Sequence, residues 1–218
     1  MKTPTQTNAS RSGSRPALPP VAIHGIGVVG PSVCAPEELA AASVSDAAIA
    51  KETTRLPPPE GMTARDMRRL ARLTRLALYA ADRAAIQANL GERQSGIYVG
   101  LTHGTADYLR EFHDYLFDYG PEMASPNAFS NGVTNAPLGS ISLHRTLTDG
   151  GVTLVGMETG GMEALHHAAA KLHDHTHDVC IAGATEEYSP IVESVYHRVG
   201  WYRGDRPATL PCPWEDGS

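Results

Sequence analysis

Residues 152–187 read VTLVGMETGGMEALHHAAAKLHDHTHDVCIAGATEE, and their reading decides the fold class. VTLVG (152–156) is a short apolar, β-branched run closed by a glycine, the pattern of a buried strand. GMEALHHAAAKLH (161–173) carries alanine and apolar positions at helical spacing with no breaker inside it, which predicts a helix. DVCIAGATEE (178–187) returns to a buried-strand pattern. Strand, helix and strand in this order make a βαβ unit, with parallel strands and a right-handed crossover. Functional groups in such units gather at the carboxyl ends of the strands, so the turn that carries Glu158 falls on the expected rim.

The rest of the chain repeats the alternation. VAIHGIGVVG (21–30) predicts a buried strand followed by a tight loop, and PEELAAASVSDAAIA (36–50) a helix with Pro36 in its first turn and Glu37 and Glu38 near the positive end of the dipole. KETTRLPPPEGM (51–62), with three consecutive prolines, reads as an irregular surface connection. From Thr63 to Asn89 the spacing predicts one long helix, with Leu70, Leu73, Thr74, Ala77, Ala81, Ala84, Ala85 and Ala88 on its apolar face. Arg65, Arg68, Arg72 and Arg75 fall on a second stripe, read as a solvated face that an acidic partner would fit. SGIYVGLTHG (95–104) predicts a second strand, ADYLREFHDYLFDYG (106–120) a helix ended by Gly120, and NGVTNAPLGSISLHRTL (131–147) a helix over most of its length despite Pro137. Strands alternating with helices define an α/β fold, with a mostly parallel sheet covered by helices on both faces.

A chain of 218 residues buries a core as one domain or as one large half of a bigger fold. The formal net charge of -6 and a pI near 5.9 argue against a non-specific nucleic-acid surface and favour small-molecule or protein partners. Cys34, Cys180 and Cys212 are odd in number and lack CxxC spacing, which fits a reducing, cytoplasmic setting. MKTPTQTNASRSGSRPALPP holds no apolar run for a signal peptide or a membrane span, so 1–19 reads as a disordered tail and 20–218 as the folded domain.

Three motifs invite chemistry. Gly25-Ile-Gly27-Val-Val-Gly30 satisfies GxGxxG after a strand pattern, but a dinucleotide site needs a helix to begin within the motif, where Pro31 and Pro36 stand. It reads as a strand-to-loop turn, and no cofactor is expected. His166, His167, His173, His175 and His177 match no closed zinc spacing and read as polar surface, with no metal. The third motif is the turn at Glu158. Serine or cysteine at a strand-to-helix elbow is activated by the helix N-terminus, whereas a carboxylate there acts as a base, a buried hydrogen-bond partner or a cap on its helix.

Five segments in order resemble the β-ketoacyl synthases. They are VAIHGIGVVGPSVCAPEEL, RRLARLTRLALYAADRAAIQANL, SGIYVGLTHG, SPNAFSNGVTNAPLGSISLHRTLTDGGVTLVGMETGGMEAL and DVCIAGATEEYSP, within about residues 20–215. The resemblance implies the N-terminal half of the thiolase-like fold. Members condense an acyl thioester with a malonyl thioester on acyl carrier protein, using an elbow cysteine and two histidines of the C-terminal half. Glu158 stands where that cysteine would be, and the chain ends at PCPWEDGS, ahead of the segments that would carry both histidines. His103, His113 and His144 lie outside the family's histidine motifs. Condensation by this chain alone is therefore not expected.

The family also includes chain-length factors, which pair with an active synthase, and decarboxylating forms with glutamine at the elbow. The acidic elbow is similar to partner subunits of synthases that make polyene-type chains. The implied role is a non-condensing, chain-length-factor-type subunit in polyketide or fatty-acid biosynthesis. Its implied partners are a ketosynthase, across the strand 152–156 edge, or another copy, together with acyl carrier protein. Glu158 is the catalytic candidate, and Met157, Phe129, Gly160 and Gly161 are substrate-binding candidates. Two rival expectations are a malonyl-acyl carrier protein decarboxylase using Glu158 as acid or base, and a piece of a longer ketosynthase.

Overall fold

The computed structural model describes residues 18–30, 35–38, 56–187 and 189–200. Three parallel strands, β1 (Gly96–Leu101), β2 (Gly151–Val155) and β3 (Cys180–Ala184), form a sheet in the order β2-β1-β3. Ile97 is in register with Gly151 on one side and Ile181 on the other, and Leu101 is in register with Val155. The central strand β1 is buried along its whole length, which is why its sequence is continuously apolar or glycine. β2 and β3 do not touch each other. The crossover between them therefore passes over β1.

Seven α-helices accompany the sheet among the described residues: α1 (Ala64–Arg69), α2 (Arg72–Gln87), α3 (Ala106–Tyr119), α4 (Pro126–Gly132), α5 (Ala136–Arg145), α6 (Gly160–His173) and α7 (Pro190–Arg198). Side chains alternate across β1. Ile97, Val99 and Leu101 enter the larger core with Leu73, Ala77, Leu78 and Ala81 of α2 and Ile141 of α5. Tyr98 faces the other way, onto Ala164 and Ala168 of α6. Those two alanines are one helical turn apart, and with Gly160 they form the thin stripe that lets α6 lie close on the sheet. The result is the expected α/β arrangement, a parallel sheet with helices on both faces.

Several element boundaries differ from the sequence expectation. No strand forms over 21–29, and only an isolated bridge occurs at Gly30. Val21, Ile23 and Ile26 are exposed, and the segment runs over α2, where the Ile26 N–H donates to Gln87 Oε1 at 2.6 Å. A strand needs a ladder partner, and β1, β2 and β3 pair only among themselves within the described residues. Of the predicted helix 36–50, Pro36–Glu38 are helical and residues 39–50 lie outside the described residues.

The predicted single helix 63–89 is two. Thr63 opens α1 through a capping box with Asp66, and the chain then turns extended at Leu70 and Ala71. Asn131 of α4 sits in that break, where its Oδ1 accepts from the Ala71 N–H at 2.8 Å and its Nδ2 donates to the Arg69 carbonyl at 3.1 Å. A side chain 60 residues away satisfies the backbone groups that helix continuation would otherwise use. The predicted helix 131–147 is also two segments, divided around Val133–Asn135. This places Pro137 in the first turn of α5, where its missing N–H costs nothing.

Candidate functional site

β2 ends at Val155, and the Gly156 N–H donates to the Leu101 carbonyl at 3.2 Å, which holds the turn against the end of β1. A 3-10 turn, Met157–Thr159, leads into α6. The Thr159 hydroxyl lies 2.8 Å from the Gly156 carbonyl and 2.7 Å from Glu163 Oε1, bracing the elbow at the surface. A Cβ on Gly160 would lie 2.5 Å from the Leu101 carbonyl oxygen, one on Gly100 would strike the Gly160 carbonyl, and one on Gly161 would lie 2.9 Å from the Ala184 Cβ. These glycines seat the N-terminus of α6 directly on β1 and β3. Gly160 and Gly161 thus have a packing reason of their own.

Glu158 is at the tip of this elbow and exposed. No side-chain hydrogen bond caps α6, so the acid does not cap the helix that it precedes. Around it stand groups that motif reading did not select. Glu186, just after β3, accepts from the Thr102 N–H at 2.6 Å and the His103 N–H at 2.9 Å, fixing the turn after β1. The Tyr196 hydroxyl of α7 lies 2.8 Å from His103 Nε2, with the two rings edge to face at 5.3 Å. Burial pushes the Tyr196 phenol up, and the Glu158 and Glu186 carboxylates push it further the same way. Glu158, Glu186 and His103 therefore each follow one of the three parallel strands, and Tyr196 is hydrogen-bonded to His103.

Such a rim offers hydrogen-bond acceptors, but GMETGG (156–161) offers neither serine nor cysteine. Cys180 is half-buried in β3, and burial pushes its thiol up to about 11, which keeps it from forming a thiolate. The sequence signal for Glu186 and His103 was their place near the ends of the strand patterns 178–187 and 95–104. Tyr196 had no local signal, since only tertiary folding brings it 93 residues back to His103.

Next to this rim, Glu187 Oε2 accepts from the Leu73 N–H at the start of α2, at 3.1 Å. Burial pushes the Glu187 carboxyl up to about 7; Asp107 and Glu186 act in the same direction, against Arg72 and the Leu73 N–H. Between its ordinary value of 4.5 and about 7, the unfolded chain releases this proton while the folded chain keeps it. Stability therefore falls as pH rises through that window, and the loss is complete above it. The expected loss is about 1–2 kcal/mol, after discounting the full linkage value for partial solvent exposure. Glu187→Gln, which keeps an acceptor for the Leu73 N–H, should flatten the pH dependence of the urea midpoint between pH 5 and pH 8. An unchanged slope would show that the carboxyl does not titrate there.

The other sequence candidates lie as follows. Met157 is in the 3-10 turn beside Glu158. Phe129 is exposed on α4, and its ring contact is with Phe112 of α3, at 5.4 Å, rather than with the elbow. The arginine stripe is not one solvated face. Arg65 and Arg68 are exposed on α1, but the break at Leu70–Ala71 turns Arg72 and Arg75 into half-buried positions. His177 is buried rather than on the surface, with Nε2 at 3.1 Å from the Tyr98 hydroxyl. Gly25 and Gly27 of the GxGxxG match pack against the backbone of α2. Among the described residues no group of three or more His, Cys, Asp or Glu is placed to hold a metal, and no helix is long and apolar enough to cross a membrane.

The parallel sheet flanked by helices matches a ketosynthase-type fold, and the chain belongs to the β-ketoacyl synthase family: residues 35–217 match its N-terminal domain. It is 27% identical over 125 residues to 3-oxoacyl-[acyl-carrier-protein] synthase 2 of Coxiella burnetii, a match covering 56% of this chain and 30% of that protein. A β-ketoacyl synthase from Burkholderia phymatum superimposes with a TM-score of 0.72 at 18% identity, covering 87% of this chain and 52% of that one. The ishigamide ketosynthase/chain length factor superimposes with a TM-score of 0.69 at 18% identity, over 84% of this chain and 51% of that one. The chain thus spans about half the length of these solved relatives, and its match spans less than a third of the curated one.

Proposed function

We propose that this chain is a non-condensing ketosynthase-like subunit of the chain-length-factor type, which pairs with an active ketosynthase in polyketide or fatty-acid biosynthesis. The observation that carries the reading is the exposed Glu158 in the glycine-seated turn between β2 and α6, the position that the sequence resemblance matches to the family's acyl-accepting cysteine. The solved ketosynthase/chain length factor among its structural relatives supports the same reading.

Edge strand β2 supplies the pairing surface. Val152 and Val155 are 43% and 54% exposed, and Met162 and Leu165 extend the apolar surface along α6. Arg65, Arg68 and Arg69, all exposed on α1, offer a positive face to an acidic carrier protein. In this reading Met157 and Phe129 contribute to the product tunnel of the assembled pair, and the protein works in the cytoplasm.

Tagged chain expressed in its native host should co-purify with a ketosynthase, and Val155→Lys on the exposed edge should lower that recovery by about tenfold, or ~1.4 kcal/mol. Substitution of Phe129 should shift product length. If the synthase makes the same products at the same rate without this chain, the proposal is lost.

A further inference from the structure

His177 stands in the loop between α6 and β3, and its buried ring meets groups from the amino ends of the other two strands. A Cβ on Gly96, the first residue of β1, would lie 2.5 Å from His177 Cδ2, so the glycine leaves the space that the imidazole fills. Nε2 is 3.1 Å from the Tyr98 hydroxyl, with the two rings edge to face at 6.1 Å. Nδ1 is buried without a hydrogen-bond partner, and the Asp149 carboxylate, just ahead of β2, stands 3.9 Å away, within ion-pair reach but beyond a hydrogen bond. The other titratable groups that act on Tyr98 beside the ring are Cys180 of β3 and, at the end of α6, Lys171 and Asp174, which pair with each other at 2.9 Å. Asp178, next in the chain, is exposed.

A phenol hydroxyl both donates and accepts, so Tyr98 serves Nε2 whether or not the ring is charged. Nδ1 is therefore the atom whose pairing a proton changes. An unpaired charge at this depth is costly, and Asp149 is the carboxylate placed to offset it.

We propose that His177 is a proton-operated latch: protonation of its ring closes the 3.9 Å approach to Asp149 into a hydrogen-bonded ion pair, fastening the loop before β2 to the loop before β3. The latch tightens as pH falls and releases as the ring loses its proton. Edge strand β2 is thereby held more firmly at its amino end in acid. The latch lies at the opposite ends of the strands from Glu158 and does not depend on the subunit reading.

The test is a double-mutant cycle in the full chain, in which wild type, His177→Gln, Asp149→Asn and the double variant are unfolded by urea at about pH 5.5 and about pH 8. The titrations of Glu187 and of the other histidines are common to all four proteins and cancel in the cycle. The coupling should favour the folded state by about fivefold in the unfolding constant at the lower pH and shrink to less than about 1.5-fold at the higher one. No coupling at the lower pH, or coupling at the higher pH that equals or exceeds it, overturns the latch. Should His177→Gln fail to fold, seen in its circular dichroism, the Ile97 amide reports instead, because it donates to the Gly150 carbonyl at 3.1 Å, next to Asp149. Its hydrogen-exchange protection in Asp149→Asn should fall about fivefold below wild type at the lower pH and match wild type at the higher one. Equal protection in the two proteins at the lower pH, or an equal deficit at both, overturns the proposal in the same way.

Discussion

Replacing Gly160 with alanine should destabilise the protein by about 3 kcal/mol or more, because the new methyl group meets backbone rather than a movable side chain. Its Cβ would lie 2.5 Å from the Leu101 carbonyl oxygen, and the same oxygen accepts the Gly156 N–H that closes the elbow. Relief requires α6 to lift from β1. That would open the contacts of Ala164 and Ala168 with Tyr98 and displace the turn that carries Glu158. The urea midpoint should fall sharply. The control is Gly139→Ala in α5, where nothing lies within 4 Å of the added Cβ, and there a gain of about 0.5–1 kcal/mol is expected from helix propensity. Equal effects at the two sites would refute the close-seating account.

Asn131→Ala should cost about 2–4 kcal/mol, since it strands two backbone groups at once. The Ala71 N–H loses its acceptor at 2.8 Å, and the Arg69 carbonyl loses its donor at 3.1 Å, next to a core in which Ala71 and Leu73 are fully buried. Asn131 also donates to the Asn127 carbonyl at 3.0 Å, so the short helix α4 loosens with the break. Asn131→Asp keeps an acceptor for Ala71 but lacks the donor for Arg69, and it should recover only part of the loss. Hydrogen exchange at the Ala71 amide reports the cap directly. Native-like protection there in Asn131→Ala would mean that another group closes the break.

The elements that were legible from sequence are those whose pattern reflects local burial. Strand β1 declares itself because GIYVGL is buried residue by residue, and α6 because its alanines repeat on one face. The helix ending at Gly120 was legible because its cap needs a positive φ, here 83°, which glycine adopts without strain. The elbow was legible for a similar reason. Its glycines mark a close approach of backbones, and Glu158 lies between Gly156 and Gly160 in the chain.

Other features depended on partners distant in the chain. The 21–29 segment has the composition of a strand, but composition does not provide a neighbour to bond with, and among the described residues it forms no strand with β1–β3. The break between α1 and α2 is imposed by Asn131, and the rim of the site is completed by Tyr196, each far along the chain from the residues it engages. By itself, the sequence determined the α/β alternation and the acid at the elbow, because both are written in short-range periodicity and turn chemistry, and the resemblance of five segments in order pointed to the family. The His103–Tyr196 hydrogen bond and the raised pKa of Glu187 arose only when separate segments met, since hydrogen-bond partners and desolvation depend on tertiary neighbours rather than on spacing.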